Sequence, residues 1–262
     1  MKAGFYDDGY AVYPHDPAIL KWVEAAKPLA TEALNDQTLL DTWLLCEGTW
    51  FVGVDALMTG PDGQAGDVPL AGQVISDLQT EYCVQRPMHK AQLSVVYPGY
   101  PKPREGESEG AFNYRRKRDA AHVDGLHAVG PNRHRHLSEH HAYLLGLPIT
   151  RASEGASPLV IWQGSHKIVQ SWLSEELSAL PEKQWKDINL TDGYMSIRRK
   201  VFDTCERVEV PVQPGEAVVM HRHAVHGIAP WKDNTETNSG GRMIAYFRPE
   251  MALSLRDWLN LR

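Results

Sequence analysis

The spacing of hydrophobic residues changes near residue 91. Before that point apolar residues recur at helical intervals, most clearly within Ala18 to Asn35, where the preceding Asp16-Pro17 is typical of a helix start. Pro28 is expected to kink or divide this helix, because proline removes a backbone donor. A second helix is predicted around Val74 to Tyr82. Residues 1–90 therefore predict a helical and mixed layer.

From Ala91 onward the hydrophobic period is two. Residues Gln92 to Tyr97 alternate ahead of a Pro98-Gly99 turn, which predicts a strand. Further short strands are predicted at Ala142 to Ile149, Pro158 to Trp162, Arg207 to Val210, Glu216 to His221 and Arg242 to Arg248, with a helix within Ser171 to Trp185. Between the first strands, Tyr100 to Asp119 is rich in proline, glycine and charge, which predicts a long mobile segment.

Short strands separated by glycine and proline turns, with helices concentrated earlier, predict a mainly β fold with flanking helices, in the α+β class. A β-sandwich or a barrel-like jelly roll suits this pattern. Neither an internal repeat nor a shift in composition marks a boundary. We therefore expect a single domain over residues 1–262, with the helical and mixed layer at about 1–90 and the strand-rich core at about 91–250.

Composition and charge narrow the classes of function. The chain has 262 residues, of which 42% are hydrophobic, so it can bury a substantial core. Its 27 basic and 33 acidic residues give a net charge of −6, which repels nucleic acid and anionic membrane surfaces, so neither is expected as a partner. The sequence has no apolar run of membrane-spanning length and no signal-peptide pattern at its start, which predicts a cytoplasmic protein.

The three cysteines, Cys46, Cys83 and Cys205, are far apart and form no CxxC pair. Their odd number and spacing exclude a disulfide framework and a thiolate metal site, and they are expected to be reduced and mostly buried.

Histidine is the residue type that points to chemistry. Ten of the twelve histidines lie between His122 and His226. In His122-Val123-Asp124 an imidazole and a carboxylate stand two residues apart, so on a strand both face the same side. Alone this pair is weak evidence, because chance produces such pairs. It nevertheless offers two metal ligands from one strand.

Two later residues complete a chemically coherent set. A strand of apolar residues ends in His226-Gly227, where the glycine leaves room beside the imidazole, and Arg242 opens another apolar strand sixteen residues later. Its planar fork of donors suits a buried carboxylate, although a surface arginine at a strand end is the simpler interpretation of this residue alone. Two histidines and one carboxylate bind one face of a non-haem Fe(II), which leaves positions for a chelating 2-oxo acid and O2.

The sequence resembles the phytanoyl-CoA dioxygenase type of Fe(II)/2-oxoglutarate dioxygenases. The residues that carry the resemblance are His122-x-Asp124, the strand and turn from Pro158 to Lys167, Gly215-Glu216 through His226-Gly227, and Arg242. The resemblance implies a double-stranded β-helix, or jelly roll. It also implies that His122, Asp124 and His226 ligate Fe(II), that Arg242 anchors 2-oxoglutarate and that Gln92 faces this co-substrate.

The implied activity is the hydroxylation of a small organic substrate with O2, with release of succinate and CO2. Asp124 favours hydroxylation over halogenation, because related halogenases lack this carboxylate. Two alternatives stay open. One is a cupin-like metal-dependent oxygenase or isomerase without 2-oxoglutarate, against which Arg242 counts; the other is a non-catalytic jelly-roll binding or sensing protein, against which the intact triad counts.

Other polar residues have plainer interpretations. His136 and His140 stand at helical spacing, but the glutamate of a helical zinc motif is missing, so exposed or substrate-side positions are expected. The basic runs Arg115 to Arg118 and Arg198 to Lys200 indicate a solvated face, or alternatively a pocket for an anionic substrate. The identity of the substrate and the oligomeric state are not determined by the sequence.

Overall fold

The structure is a computed structural model that describes residues 1–232, 235 and 240–262. The helices are α1 (Ala3–Asp8), α2 (Pro17–Asn35), α3 (Gln37–Trp43), α4 (Gln73–Glu81), α5 (Glu109–Lys117), α6 (Ser165–Leu177), α7 (Thr191–Thr204) and α8 (Leu255–Asn260), with a 3-10 helix at Glu182–Asp187. Across these described ranges, none of the helices has the length and apolar character needed to cross a membrane.

The strands are β1 (Tyr10–Tyr13), β2 (Leu44–Leu45), β3 (Trp50–Phe51), β4 (Gln92–Val96), β5 (Leu126–Val129), β6 (His134–Leu137), β7 (Tyr143–Pro148), β8 (Leu159–Trp162), β9 (Arg207–Val210), β10 (Ala217–His221), β11 (His226–Ile228) and β12 (Arg242–Phe247). The strands predicted from the period of two are confirmed in β4, β7, β8, β9, β10 and β12. The class is therefore a mixture of helix and antiparallel sheet.

Two antiparallel sheets face each other. The larger has the order β1-β10-β7-β12-β4-β3-β2, and the smaller has the order β11-β8-β9. A hairpin of β5 and β6 forms a separate two-stranded sheet. Apolar side chains from both larger sheets form one cluster between them, which includes Leu144, Leu159, Ile161, Met220 and Ile244. This interior layer sits below the candidate site and supports it.

Helix α2 covers the larger sheet as a single helix. Asp16 accepts a hydrogen bond from the backbone N–H of Ala18 at 2.8 Å, as the sequence predicts for the cap. Pro28 lies inside the helix without dividing it, so a division at this residue is a wrong prediction. The buried face, which includes Trp22 and Val23, packs into the main core, and this packing outweighs the one backbone hydrogen bond that proline removes.

The segment Tyr100 to Asp119 contains an ordered helix, α5, so the prediction of a long mobile segment is wrong. Ser108 caps the helix by accepting from the N–H of Ala111. Arg115 Nε and Nη2 donate to the two carboxylate oxygens of Glu107 at 2.8 and 2.7 Å, and both side chains are nearly buried. This hydrogen-bonded pair lowers the pKa of Glu107 to about 2. A bidentate ion pair thus holds a segment whose composition is typical of a loop.

Two smaller predictions also need correction. The helix expected within Ser171 to Trp185 begins earlier, at Ser165, directly after Gly164 in the left-handed conformation, and ends at Leu177. The cysteines are free, as predicted, but Cys46 alone is buried, while Cys83 is exposed and Cys205 is partly exposed.

Candidate metal centre

His122 and His226 lie side by side because their backbones pair. The N–H of each donates to the carbonyl of the other, at 2.8 and 3.0 Å, in an antiparallel bridge that extends the small sheet beyond β11. Their ring centroids are 4.5 Å apart. His122 Nδ1 donates to Ala120 O at 3.1 Å, and His226 Nδ1 donates to Ala224 O at 3.0 Å. Both Nε2 atoms are therefore left with a free lone pair for a metal.

Asp124 follows at a turn rather than on a continuous strand. Within this stretch only His122 forms a bridge, and the chain turns at Asp124-Gly125, which corrects the simple strand geometry expected from the sequence. Gly125 has φ +79°, and a Cβ there would lie 2.4 Å from Glu139 O, so the turn requires glycine. The turn still directs the carboxylate to the two histidines.

The three side chains can hold one metal ion. Their nearest ligand atoms all lie within 4.8 Å of one another. Asp124 Oδ1 is 3.1 Å from His122 Nε2 and 3.7 Å from His226 Nε2. Ligand bonds of about 2.1 Å at right angles place donor atoms about 3 Å apart, so these separations suit an ion bound on one face. The arrangement is a His–Asp–His triad consistent with Fe(II).

The protonation states favour metal binding at neutral pH. Burial opposes ionisation of Asp124, but the adjacent imidazoles of His122 and His226 and the charge of Arg248 outweigh it and keep the Asp124 pKa well below its usual value. Burial and the neighbouring His122 lower the pKa of His226 to about 4. The site thus offers an ionised carboxylate and a neutral imidazole, the forms that ligate metals.

The triad opens into a cavity of about 250 Å³ between the two sheets. One wall is apolar and includes Leu144, Leu159 and Met220. Besides the triad, the polar residues that line the cavity are Gln92, Ser94, His127, Arg135, Tyr246 and Arg248. The cavity therefore combines a mostly apolar lining with a few polar groups, as small-molecule sites do.

Of the two residues assigned to the co-substrate, Gln92 lines this cavity and Arg242 does not. Gln92 lies on β4 opposite Tyr246 of β12. Arg242 starts β12, on the same strand face as Ile244 and Tyr246, and lines a smaller cavity near Pro158. It is only 7% exposed, and its Nε lacks a hydrogen-bond partner among the described residues. Arg242 therefore lies inside the fold, which excludes the alternative of a surface arginine.

Arg248 is a site residue that the sequence analysis missed. It follows β12, lines the cavity, and places Nη1 3.5 Å from Asp124 Oδ2. Arg248 stands six residues after Arg242, and an even spacing on a strand places both side chains on the same face. This spacing could have identified Arg248 as a site residue. Arg248 therefore holds the carboxylate oxygen on the side away from the histidines.

Two further contacts hold the ligand segment in place. The hydroxyl of Tyr194 accepts from the N–H of Val123, between the two ligands, at 3.2 Å. Arg207 Nε and Nη2 donate to the buried carboxylate of Asp119 at 2.7 and 2.9 Å. Nothing in the local sequence around these residues indicated either contact, because each joins elements more than seventy residues apart.

The remaining histidines are not part of the triad. His136 lies on β6 and not on a helix, which rules out the helical zinc pair with His140. His223 is buried against Trp258, with ring centroids 4.8 Å apart, and does not line the cavity. His141 Nε2 instead lies 2.9 Å from Glu139 Oε2, next to the cavity.

Comparisons with known proteins give structural matches only. Neither the protein-family models nor the curated proteins include a match to the chain. Among solved structures, AviO1 from Streptomyces viridochromogenes Tue57 aligns with a TM-score of 0.52 and 18% identity, over 96% of this chain and 93% of that one. This likeness shows a common fold.

Other solved structures are similar at lower scores. The non-heme alpha ketoglutarate dependent carbocyclase SnoK from nogalamycin biosynthesis has a TM-score of 0.49 and 15% identity, over 97% of this chain and 86% of that one. EctD from S. alaskensis, crystallised with bound Fe, has a TM-score of 0.43 and 14% identity, over 95% and 75%.

Proposed function

We propose that the protein is an Fe(II)- and 2-oxoglutarate-dependent dioxygenase that hydroxylates a small organic substrate. The observation that carries this proposal is the triad of His122, Asp124 and His226, with both Nε2 atoms and one carboxylate oxygen turned to a common point at the mouth of a cavity. Two imidazoles and one carboxylate on one face are the ligand set of non-haem Fe(II) oxygenases.

The topology supports a jelly roll of the phytanoyl-CoA dioxygenase type. Along the chain, β4, β7, β10 and β12 belong to the large sheet. In the small sheet, the His122 bridge follows β4, β8 and β9 follow β7, and β11 follows β10. Eight antiparallel strand positions divided between two sheets in this way are the arrangement expected of a jelly roll. Because β1 pairs with β10 and β3 pairs with β4, we also propose that residues 1–262 are a single domain.

The triad fits Fe(II), and for 2-oxoglutarate the chain offers Gln92 in the cavity and Arg242 in the neighbouring interior. His122, Asp124 and His226 would hold Fe(II), and Arg242 would bind the far carboxylate of 2-oxoglutarate, since its guanidinium is buried with an unpartnered Nε. Gln92 would face the co-substrate from β4. When bound, Fe(II) and 2-oxoglutarate supply the oxidising chemistry, which consumes O2 and releases succinate and CO2.

The chain's own contribution is to orient and to exclude water. Ala120 O and Ala224 O fix the tautomers of the two ligand histidines, and Arg248 keeps Asp124 ionised and oriented. The apolar wall limits solvent beside the open positions, which protects a reactive centre from side reactions. Asp124 occupies the carboxylate position of the triad, which favours hydroxylation over halogenation.

Anaerobic titration tests the proposal. Adding Fe(II) and then 2-oxoglutarate should produce a weak visible charge-transfer band, because a 2-oxo acid that chelates the metal needs two of the open positions. Exposure to O2 should then form succinate. Stoichiometric Fe(II) binding with neither the band nor succinate would favour the non-catalytic binding protein. A metal-dependent reaction that proceeds without 2-oxoglutarate would favour the cupin-like alternative.

A further inference from the structure

Arginines from three segments that are distant in sequence meet around a pair of aromatic rings beside the cavity. The guanidinium carbons of Arg135 and Arg198 lie 5.3 and 5.4 Å from the ring centre of Tyr194. Arg198 and Arg118 also lie 5.4 and 4.8 Å from the ring centre of Phe202. The group formed by Arg118, Arg135 and Arg198 is called the arginine cluster below.

The cluster is not neutralised by the protein. In the described part of the chain, none of its three arginines forms an ion pair with a carboxylate, whereas Arg115 and Arg207 are paired with Glu107 and Asp119. Like charges at short range without a counterion raise the free energy of the folded state. Such an arrangement is expected where a ligand supplies the missing negative charge.

Arg135 and Arg198 are also partly withdrawn from water. Arg135 donates from Nη1 to Leu126 O at 2.7 Å, and Arg198 Nε is buried without a hydrogen-bond partner. Burial, followed by the neighbouring charges of Arg198 and Arg133, lowers the pKa of Arg135. An unpartnered buried donor is costly unless an acceptor fills the place. The remaining donors of Arg135 and the Nε of Arg198 are suited to an anion.

The cluster is connected directly to the candidate metal centre. Arg135 lines the same cavity as the triad. Tyr194, on which both arginines stack, accepts from the N–H of Val123 between two ligands. An anion bound to Arg135 would therefore lie in the same cavity as the triad.

We propose that the substrate is an acid whose carboxylate or phosphate is bound by Arg135 and Arg198. Calling this acid a substrate rests on the proposed function, whereas the anion site itself does not. The apolar part of the acid would lie against the wall formed by Leu144, Leu159 and Met220. Of the two basic runs that could indicate only a solvated face, one thus contributes Arg198 to the ligand site, and the other contributes Arg118 to the arginine cluster.

Matched probes test the proposal. We would measure the binding of 3-phenylpropionate, phenyl phosphate and the neutral 3-phenylpropionamide by ligand-observed NMR. The full chain would be studied both metal-free and loaded anaerobically with Fe(II) and saturating 2-oxoglutarate. At least one anion should bind about tenfold or more tightly than the amide, because a charge-assisted contact to a partly buried arginine is lost with the amide. The tighter of the two anions identifies the acid as a carboxylate or a phosphate.

Variants locate the site. Arg135→Gln and Arg198→Gln should each weaken the preferred anion about tenfold or more. Arg199→Gln is the matched control, because it removes the same charge from an exposed neighbouring position on α7 and should change affinity less than about twofold. Thermal melts show whether each variant is folded, and Arg198→Gln keeps the test valid if loss of the bond to Leu126 O destabilises the Arg135 variant.

The outcomes separate this inference from the proposed function. Equal binding of the amide and both anions, or an equal loss in the Arg199→Gln control, would overturn the anion site. If the anion preference holds but the charge-transfer band is absent, the proposed function fails while the anion site stands. If the band is present and the anion preference is absent, this inference alone fails.

Discussion

Gly227 is the residue whose enlargement should most directly disturb the metal centre. It lies between His226 and Ile228 on β11, and a Cβ at this position would lie 2.1 Å from Asp119 O. Ordinary contact begins near 3.4 Å, so the Asp119 carbonyl must retreat by about 1.3 Å in Gly227→Ala. Because this contact is with backbone, no flexible side chain can relieve it.

The retreat would break hydrogen bonds that align the ligands. Ile228 N donates to Asp119 O at 2.8 Å, and a shift of this size takes the pair out of hydrogen-bond range. The two backbone hydrogen bonds between His122 and His226 lie next to this bond in the same pair of segments, so the shift would disturb them as well. Three bonds at about 0.5–1.5 kcal/mol each give an expected loss of about 1.5–4.5 kcal/mol in the free energy of unfolding. His122 should also be displaced from Asp124 and His226, which weakens Fe(II) binding.

Urea unfolding and anaerobic Fe(II) titration measure the two effects. Gly110→Ala is the control, because its Cβ meets open space on α5 and should leave Fe(II) affinity unchanged while stabilising the helix by about 0.5–1 kcal/mol. A folded Gly227→Ala protein with wild-type stability and wild-type Fe(II) affinity would refute this reasoning.

Three further predictions concern the ligands, the co-substrate and pH. Asp124→Ala should abolish succinate formation, whereas His136→Ala should leave Fe(II) affinity nearly intact; loss of iron in the second variant only would refute the triad. Arg242→Ala should weaken 2-oxoglutarate binding by about 2–5 kcal/mol and Arg242→Lys by less, with Fe(II) binding retained in both, as followed by the charge-transfer band. Arg115 lowers the pKa of Glu107 from 4.5 to about 2, so the stability from this pair is present above pH 4.5 and is lost as pH falls toward 2. The stability difference between wild type and Glu107→Gln, from urea unfolding, should therefore shrink over that range, and a constant difference would contradict the assignment.

Much of the fold could be predicted because the hydrophobic pattern of each strand matches its position in the core. β4 and β10 could be predicted from their apolar residues and flanking turns, and both strands are buried on both faces apart from Gln92, which is partly exposed. The segment Tyr100 to Asp119 was mispredicted because its order depends on the ion pair between Glu107 and Arg115, whose distance and burial are tertiary facts. The wrong prediction that Pro28 divides α2 has the same cause, because the packing of the buried face of α2 cannot be inferred from a single proline.

The candidate site was predictable to the extent that its residues share a local motif. His122 and Asp124 stand two apart, and His226 ends a recognisable strand, so these three could be proposed together. Arg135 belongs to no such motif; it reaches the cavity through the β5–β6 hairpin, which the sequence analysis did not predict. Side chains that contribute to a site through long-range packing leave no spacing signal to find.

The two ligand histidines share one local device with a wider consequence. Each ring bonds the backbone carbonyl two residues before it, Ala120 for His122 and Ala224 for His226. Because the acceptor is a main-chain atom, the side chains at those two positions do not have to supply it. Substitutions at Ala120 and Ala224 that preserve the backbone path should therefore be neutral for ring orientation. The orientation of the two imidazoles therefore depends on the backbone path and not on the side chains beside them. Over evolutionary time, neighbouring side chains can change while the orientation of the ligands is kept.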